Sequence, residues 1–154
     1  MSLWLLDTNL LLRSVDQKSE HHDVAVAALL ELAARKDEIY VSNQSLFEFW
    51  VVASRPLERN GLELTLANIN FLIDQFLEDY INLPDPTSIV DEWRRLVTAY
   101  RVSGFKSHDM RLAAYARLHG IPRIMTFNVA DFKSLKVEID TVSPNEFLSN
   151  PAAD

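Results

Sequence analysis

Residues 3–7 read Leu3-Trp4-Leu5-Leu6-Asp7, four apolar side chains followed at once by an acid. A continuously apolar run is typical of a strand that is covered on both faces of a parallel sheet. Two further runs, Ile39-Tyr40-Val41 and residues 123–126, also have the composition of strands. Stretches with helical spacing separate the runs. This order predicts an α/β domain, with a parallel sheet and helices on both of its faces.

Polar residues that favour helix N-caps mark where the helices are expected to begin. Thr8 or Asn9 can cap a first helix directly after the first strand. Ser42 and Asn43 are well placed to start the helix after the second strand, and Ser107 to cap a later one. Two helices would therefore begin at the carboxyl end of a strand.

The remaining segments predict weaker elements. Ile81-Asn82-Leu83 has the composition of a short strand, and residues 137–142 alternate imperfectly, as an edge strand does. Pro144 and the terminal Pro-Ala-Ala-Asp resemble a tail. We therefore expect a single domain over residues 1–148 and a C-terminal tail over residues 149–154.

Length and composition exclude several classes of protein. With 154 residues the chain can bury the core of one domain, and it has no cysteine for disulfides or thiolate metal sites. No apolar stretch reaches the roughly 18 residues of a membrane span. The N-terminus lacks the basic segment of a signal peptide. The simplest expectation is a cytoplasmic protein that does not enter a membrane.

The net charge of −7 argues against loose, purely electrostatic binding to nucleic acid. The charge is uneven, however, because residues 91–136 hold nine basic residues against four acids. The rest of the chain holds six basic residues against eighteen acids. A basic region beside an acidic pocket could hold a phosphate backbone near a metal. A set of solvated helix faces explains the same charge pattern equally well.

Four acids occur where an α/β sheet would bring them together. Asp7 and Asp131 come after strand runs, Glu48 follows the second run, and Asp109 opens a helical stretch. In open parallel sheets, ligands bind outside the carboxyl ends of the strands. We therefore expect all four side chains to approach one edge of the sheet.

Each acid alone also has a purely structural explanation. Asp7 could cap the helix that follows it, and Ser45-x-x-Glu48 spells a capping box. Asp109 would lie in the first turn of a helix, where the helix dipole favours an acid. Asp131 could be an ordinary loop acid or a cap. Only the joint pattern of the four favours a functional site.

Such a cluster of carboxylates predicts a bound cation. Neighbouring like charges raise each other's pKa, so several converging carboxylates cannot all stay ionised unless a cation joins them. Hard oxygen ligands suit Mg²⁺ or Mn²⁺. The sequence therefore predicts a magnesium or manganese site at the sheet edge.

Several strings together resemble the PIN-domain family, especially its small toxin ribonucleases of VapC type. They are Leu6-Asp7-Thr8-Asn9, Glu48 on the third helix, residues 107–116 (Ser-His-Asp-Met-Arg-Leu-Ala-Ala-Tyr-Ala) and residues 124–132 (Ile-Met-Thr-Phe-Asn-Val-Ala-Asp-Phe). The similarity spans essentially the whole chain. The two C-terminal strings carry most of its specificity.

The resemblance implies a three-layer α/β/α fold with a parallel sheet of about five strands, and a metal-dependent endoribonuclease. It implies that an acidic site holds Mg²⁺ or Mn²⁺. The site residues it implies are the catalytic and metal-binding acids Asp7, Glu48, Asp109 and Asp131, supported by Thr8, Asn9, Thr126 and Asn128. Many members have an acid at the Asn128 position. The asparagine here keeps an oxygen ligand but loses a charge, which leaves a second tightly bound metal open.

The resemblance also implies partners. The substrate would be RNA, with His108, Lys106 and Arg111 as candidates to contact it. Proteins of this type often form homodimers, and a small antitoxin protein inhibits them by covering the groove. We therefore expect an RNA substrate, an antitoxin and a homodimer.

Two other interpretations stay open at the level of sequence. The first is a catalytically weak protein that keeps the fold and binds RNA or another protein, which the loss of charge at Asn128 favours. The second is a phospho-acceptor signalling domain, which also gathers acids at strand ends. That class has paired acids after its first strand and a lysine after its last strand. Here Thr8 follows Asp7, and Lys133 is displaced past Asp131.

Overall fold

The computed structural model describes residues 1–150, and a parallel sheet lies at the centre of this part of the chain. Its four strands have the spatial order β2-β1-β3-β4. They are β1 (Leu3–Leu6), β2 (Glu38–Val41), β3 (Arg123–Met125) and β4 (Asp140–Val142). Every neighbouring pair is parallel, with Leu6 opposite Val41 in β2 and Met125 in β3. The carboxyl ends of β1, β2 and β3 therefore meet at one edge.

Helices connect the strands and cover both faces of the sheet. Within residues 1–150 they are α1 (Thr8–Val15), α2 (His22–Ala34), α3 (Asn43–Ser54), α4 (Leu66–Asp79), α5 (Ile89–Ala99), α6 (Ser107–Leu118) and α7 (Pro144–Ser149). Short 3-10 segments cover Leu57–Arg59, Gly104–Lys106 and Val129–Leu135. None of these helices combines the length and the apolar composition needed to cross a bilayer.

The core has two halves because successive side chains of a strand point to opposite faces. Trp4 and Leu6 of β1 belong to one buried cluster, together with residues of α1, α2, α3, α4 and α7. Leu5, between them, belongs to the other cluster, which includes Leu96 of α5 and six residues of α6. The expected three-layer α/β/α fold is confirmed. Helices α3 and α6 lie in opposite layers, so a site between them must lie at the sheet edge.

A fifth strand position is present only as a single bridge. Ile81 pairs with Tyr40 of β2 in parallel, through hydrogen bonds from the Ile81 amide to the Ile39 carbonyl (2.8 Å) and from the Val41 amide to the Ile81 carbonyl (2.9 Å). The expected strand over residues 81–83 is thus limited to one residue. Asn82 leaves the ladder: its side-chain amide donates to the Val41 carbonyl instead.

Two expected helix starts were wrong. Asp7, rather than Thr8 or Asn9, is the N-cap of α1, and its Oδ1 accepts from the Thr8 amide at 2.7 Å. Ser107 is the first residue of α6 rather than its cap, and its hydroxyl donates to the Gly104 carbonyl at 2.7 Å. At the start of α3 the expectation is confirmed, since the Ser42 hydroxyl accepts from the Ser45 amide.

The C-terminal region is more ordered than the tail expected from Pro144. Pro144 is the first residue of α7, where its fixed φ suits a helix and no amide is needed. Phe147 is buried and its ring meets Trp4 edge-on, at a centroid distance of 5.3 Å. The boundary expected at residue 148 falls inside α7. Residues 151–154 of the expected tail lie outside the described part of the chain.

Replacing Phe49 by alanine tests the core beneath α3. Its side chain is fully buried and packs edge-on against Phe76 of α4. We expect Phe49→Ala to lower the free energy of unfolding by about 3–5 kcal/mol, because it leaves a cavity. Urea denaturation measures the change. The control is Phe47→Ala on the same helix, where the ring is 65% exposed and the expected change is within about 0.5 kcal/mol. Equal losses in the two variants would contradict this packing.

Candidate active site

The acidic site begins at the carboxyl end of β1. The Asp7 amide continues the β1–β3 ladder by donating to the Met125 carbonyl at 3.0 Å, so the backbone places this carboxyl group at the sheet edge. Glu48 lies in the second turn of α3, which starts directly after β2. Asp109 lies in the first turn of α6. Three separate elements therefore direct acids toward the same edge, as the sequence predicted.

A recess of about 380 Å³ brings three of the four acids together. Asp7, Glu48 and Asp109 line it. The other lining residues are Thr8, Asn9, Leu12, Val51, Val52, Arg55 and Asn128. We call this the acidic recess. Its polar members include three of the four supporting residues expected from the sequence; the fourth, Thr126, is buried just below.

Asp131 occupies a neighbouring position. It lines a separate hollow of about 360 Å³, together with Lys106 and Lys133. Its charge still acts on Asp109, whose pKa it helps to raise. Asp109 therefore lies between the acidic recess and Asp131. Lys133 faces the Asp131 hollow rather than the acidic recess, which does not match the arrangement of a phospho-acceptor domain.

A network of hydrogen bonds fixes the Asp7 carboxylate. The buried Thr126 hydroxyl donates to its Oδ2 at 2.8 Å, and accepts from the Asn9 side-chain amide at 3.1 Å and from the Asn128 backbone amide at 3.0 Å. Asn9 also accepts from the Phe127 amide at 3.2 Å. The first turn of α1 and the segment after β3 thus hold each other, with Asp7 between them.

The electrostatics of Asp7 are unfavourable without a cation. Burial, as the largest cause, raises the pKa of Asp7 from 3.8 to about 6. Hydrogen bonds from Thr126 and Thr8 oppose this rise, whereas the charges of Asp109 and Glu48 add to it. The protein therefore holds a buried carboxyl group whose ionised form gains from any positive charge nearby.

Asp109 shows the same tendency. Burial raises the pKa of Asp109 above its ordinary value, and repulsion from Asp131 and Glu48 raises it further. The nearby His108 and Lys106 act in the opposite direction. The four acids expected from the sequence are thus linked by charge through Asp109.

Glu48 is held by two polar side chains. Its Oε2 accepts from the Thr8 hydroxyl at 2.7 Å, and its Oε1 from the Gln44 amide at 2.8 Å. Because Ser42 caps α3, the capping-box explanation for Ser45 and Glu48 does not apply. Glu48 therefore does not cap the helix, and its side chain lines the acidic recess.

Gln44 was missed by the sequence reasoning. Its Nε2 donates both to Glu48 and to the His108 carbonyl on α6, at 3.1 Å, so it bridges the two layers across the site. Both partners are acceptors, which fixes the orientation of the amide. Its spacing of four residues from Glu48 on one helix is the signal that could have found it.

The basic residues of the 91–136 region have divided roles. Arg95 and Arg117 are tied to Glu92 and Glu138, in an ion-pair network that joins α5 to α6. Of the expected substrate contacts, Lys106 and His108 are exposed, and Arg111 lies 3.5 Å from an oxygen of Asp85. Arg55, not expected from the sequence, lines the acidic recess.

The donor set suits a hard divalent cation. Asp7, Glu48, Asp109 and Asn128 present oxygen atoms, the ligands that Mg²⁺ and Mn²⁺ prefer. Among residues 1–150, however, no three histidine or acidic side chains already stand within reach of one ion. Binding would therefore draw the carboxylates closer together, against the repulsion seen at Asp109.

Comparison with known proteins agrees with this geometry. A family model for the PIN domain matches residues 4–137, a span that includes all four acids. The chain belongs to the PIN-domain family. Ribonuclease VapC24 of Mycobacterium tuberculosis is similar to this PIN domain, with 30% identity over 133 residues. The match covers 82% of this chain and 87% of that relative. The resemblance found in the sequence is confirmed.

Solved structures share the PIN fold of this chain. VapBC-1 from nontypeable Haemophilus influenzae has a TM-score of 0.69 at 15% identity, covering 93% of this chain and 98% of that one. VapBC2 from Rickettsia felis, bound to a promoter DNA fragment, has a TM-score of 0.67 at 17% identity, covering 92% and 98%. FitAcB from Neisseria gonorrhoeae has a TM-score of 0.66 at 18% identity, covering 92% and 97%. At these identities the likeness shows the fold alone.

The Asp7→Asn variant tests the electrostatics of the acidic recess. Because the pKa of Asp7 is raised to about 6 in the folded protein, the metal-free protein loses stability as the pH rises from about 4 to above 6. We expect the neutral variant to be more stable than wild type at about pH 8, by about 1–3 kcal/mol, since one pKa unit corresponds to about 1.4 kcal/mol.

The measurement is urea unfolding in chelator at about pH 8 and about pH 4, where the advantage of Asp7→Asn should disappear. Asp74→Asn, on the exposed side of α4, removes the same charge outside the recess and is the control. If Asp7→Asn were less stable than wild type at about pH 8, the conclusion that the ionised Asp7 carboxylate destabilises the metal-free protein would be wrong.

Proposed function

We propose that this PIN domain is an endoribonuclease that requires Mg²⁺ or Mn²⁺ and hydrolyses phosphodiester bonds of RNA. The observation that carries the proposal is the convergence of Asp7, Glu48 and Asp109 in one recess, where burial and the neighbouring acids raise the pKa of Asp7 and of Asp109. The ribonuclease name of the Mycobacterium tuberculosis relative supports the same activity.

Asp7 and Asp109 are the proposed direct ligands of the metal. Asp7 is fixed by Thr126 and Thr8, and Asp109 is near every other acid of the group. Glu48 and Asp131 would bind directly or through water. Asn128 offers an oxygen without a charge, so we propose one firm metal site and a second that the substrate completes. A metal bound there would lower the pKa of a bound water and neutralise charge on the phosphate.

The chain's own residues supply orientation and selectivity. Thr126 and Asn9 hold the Asp7 carboxylate in one position, and Gln44 and Thr8 do the same for Glu48. The orientation of these two carboxylates is therefore set before substrate binds, and such positioning is where enzymes gain much of their rate. Arg55 at the wall of the recess is a cation suited to a phosphate oxygen.

The nuclease proposal predicts cleavage of RNA by the purified chain in Mn²⁺, and none in excess chelator. We expect Asp7→Asn and Asp109→Asn to lower the rate by about 100-fold or more, because each removes a charged ligand. Gel analysis of cleaved RNA measures the rate, with Asp74→Asn as the control that keeps it. Calorimetry should show manganese uptake by wild type and weaker uptake by Asp109→Asn. Full activity in chelator would contradict metal dependence.

A binding module without catalysis is the second candidate, and the uncharged Asn128 in the wall of the acidic recess favours it. RNA binding in chelator, measured beside cleavage in Mn²⁺, separates the two. Tight binding without cleavage by partner-free protein would favour the module.

We further propose that the chain is the toxin of a toxin–antitoxin pair. The support is the set of similar solved structures, which are VapBC and FitAB-type assemblies. The partner would be a small antitoxin protein, and the free toxin a homodimer that sedimentation can test.

The toxin proposal predicts that expression of this chain alone stops the growth of a bacterial host, because an unrestrained ribonuclease destroys cellular RNA. Asp109→Asn, expressed to the same level, should restore growth, and Asp74→Asn should not. Optical density of induced cultures measures the effect. Undiminished growth with soluble wild-type protein would count against a toxin.

A further inference from the structure

A second recess adjoins the acidic recess on the far side of the first turn of α6. It has a volume of about 330 Å³, near the lower end of small-ligand pockets at about 300–1,000 Å³. The residues that line it come from the N-terminal halves of α5 and α6: Ile89, Val90, Trp93, Ser107, His108 and Arg111. We call it the Trp93 recess. Two of its residues, His108 and Arg111, are among the RNA contacts expected from the sequence, and none of the six is a proposed metal ligand.

The indole ring of Trp93 is held in a fixed position. Its Nε1 donates to the Ser107 carbonyl at 2.8 Å, and the Ser107 hydroxyl donates to the Gly104 carbonyl. The only hydrogen-bond donor of the ring is therefore used within the protein. What Trp93 offers to a ligand is flat apolar surface, beside the apolar side chains of Ile89 and Val90.

The two recesses share adjacent residues. His108 lines the Trp93 recess and Asp109, next in the chain, lines the acidic recess. The His108 carbonyl also accepts from Gln44, which holds Glu48. A group bound in the Trp93 recess would therefore lie beside His108, the neighbour in sequence of the proposed metal ligand Asp109.

Two cationic side chains lie at or near the Trp93 recess. Arg111 lines it, 3.5 Å from an oxygen of Asp85, and Lys106 lies in the 3-10 segment before α6, beside the exposed ring of Phe105. The exposed imidazole of His108 lines the recess as well. Aromatic surface interleaved with cations is the usual platform for unpaired nucleotides, where bases stack and phosphates meet positive charge. A purely apolar peptide carries no negative charge to pair with these cationic side chains, whereas RNA does. The positive charge therefore favours RNA over an apolar protein segment.

We propose that the Trp93 recess binds one unstacked nucleobase of the RNA strand, next to the bond that is cleaved in the acidic recess. This inference rests on the proposed ribonuclease function. It assigns Trp93 as a platform for the base and Arg111 as a contact for the adjacent phosphate. The recess would then contribute to the choice of cleavage site.

The test combines a protein variant with a missing base. Cleavage of purified bacterial RNA by wild type in Mn²⁺ first locates a cleaved bond, and a synthetic oligoribonucleotide carrying that bond becomes the substrate. Matched oligoribonucleotides each lack one base on either side of the bond. The values of kcat/KM are measured for wild type, Trp93→Leu and Trp93→Phe, with Phe71→Leu, an exposed ring that lines neither recess, as the control.

For wild type, removing the base at one of these positions should lower kcat/KM by about 5-fold to 150-fold, the range typical of bases that stack on aromatic side chains. Trp93→Leu should show a similar loss with intact RNA and no further loss when that base is absent, because the two changes remove the same contact. Trp93→Phe keeps a ring and should retain most of the rate. Phe71→Leu should behave as wild type.

If Trp93→Leu lowers kcat/KM by the same factor for intact RNA and for RNA lacking the base, the proposal is overturned. That result is expected of a variant that is merely distorted. Unchanged cleavage of intact RNA by Trp93→Leu would also reject the proposal. If wild type cleaves no RNA in Mn²⁺, the ribonuclease function itself fails and the base site fails with it.

Discussion

Repulsion between carboxylates at the edge of the sheet is the constraint on which the site depends. Asp7 is buried where its charge is disfavoured, and Asp109 and Glu48 add their own charges nearby. The fold tolerates this because Thr126, Thr8 and Asn9 give the Asp7 carboxylate hydrogen bonds. Stability is thus given up at the position where a cation would restore it, a pattern typical of functional sites.

The fold around this site follows from simple patterns in the sequence. The apolar run ending at Leu6 is a buried central strand because both faces of β1 are covered. The helix layers on both faces then follow from the alternation of elements, since parallel strands need crossover connections. The strand order β2-β1-β3-β4 was not predicted and comes from the structure. Asp7 and Glu48 could be placed at the sheet edge in advance, because Asp7 directly follows β1 and Glu48 lies on the helix that begins directly after β2.

What the sequence could not supply were the paths of irregular segments and the contacts between distant ones. Ser107 has the composition of a cap, yet the 3-10 turn before it gives its hydroxyl another acceptor, the Gly104 carbonyl. Pro144 indicated a tail, whereas it begins α7, and the packing of Phe147 against Trp4 holds that helix in place. The separation of Asp131 from the acidic recess depends on the 3-10 segment Val129–Leu135, whose path no local pattern specifies.

Gln44 gives the two sides of the molecule a mechanical link. Its side-chain nitrogen donates to Glu48 on α3 and to the His108 carbonyl on α6. These two helices pack on opposite faces of the sheet. A shift of α3 relative to α6 would stretch this bridge and change the gap between Glu48 and Asp109. Because reactions positioned by an enzyme are sensitive to shifts of about 1 Å, the geometry of the acidic recess depends on the relative position of the two helix layers.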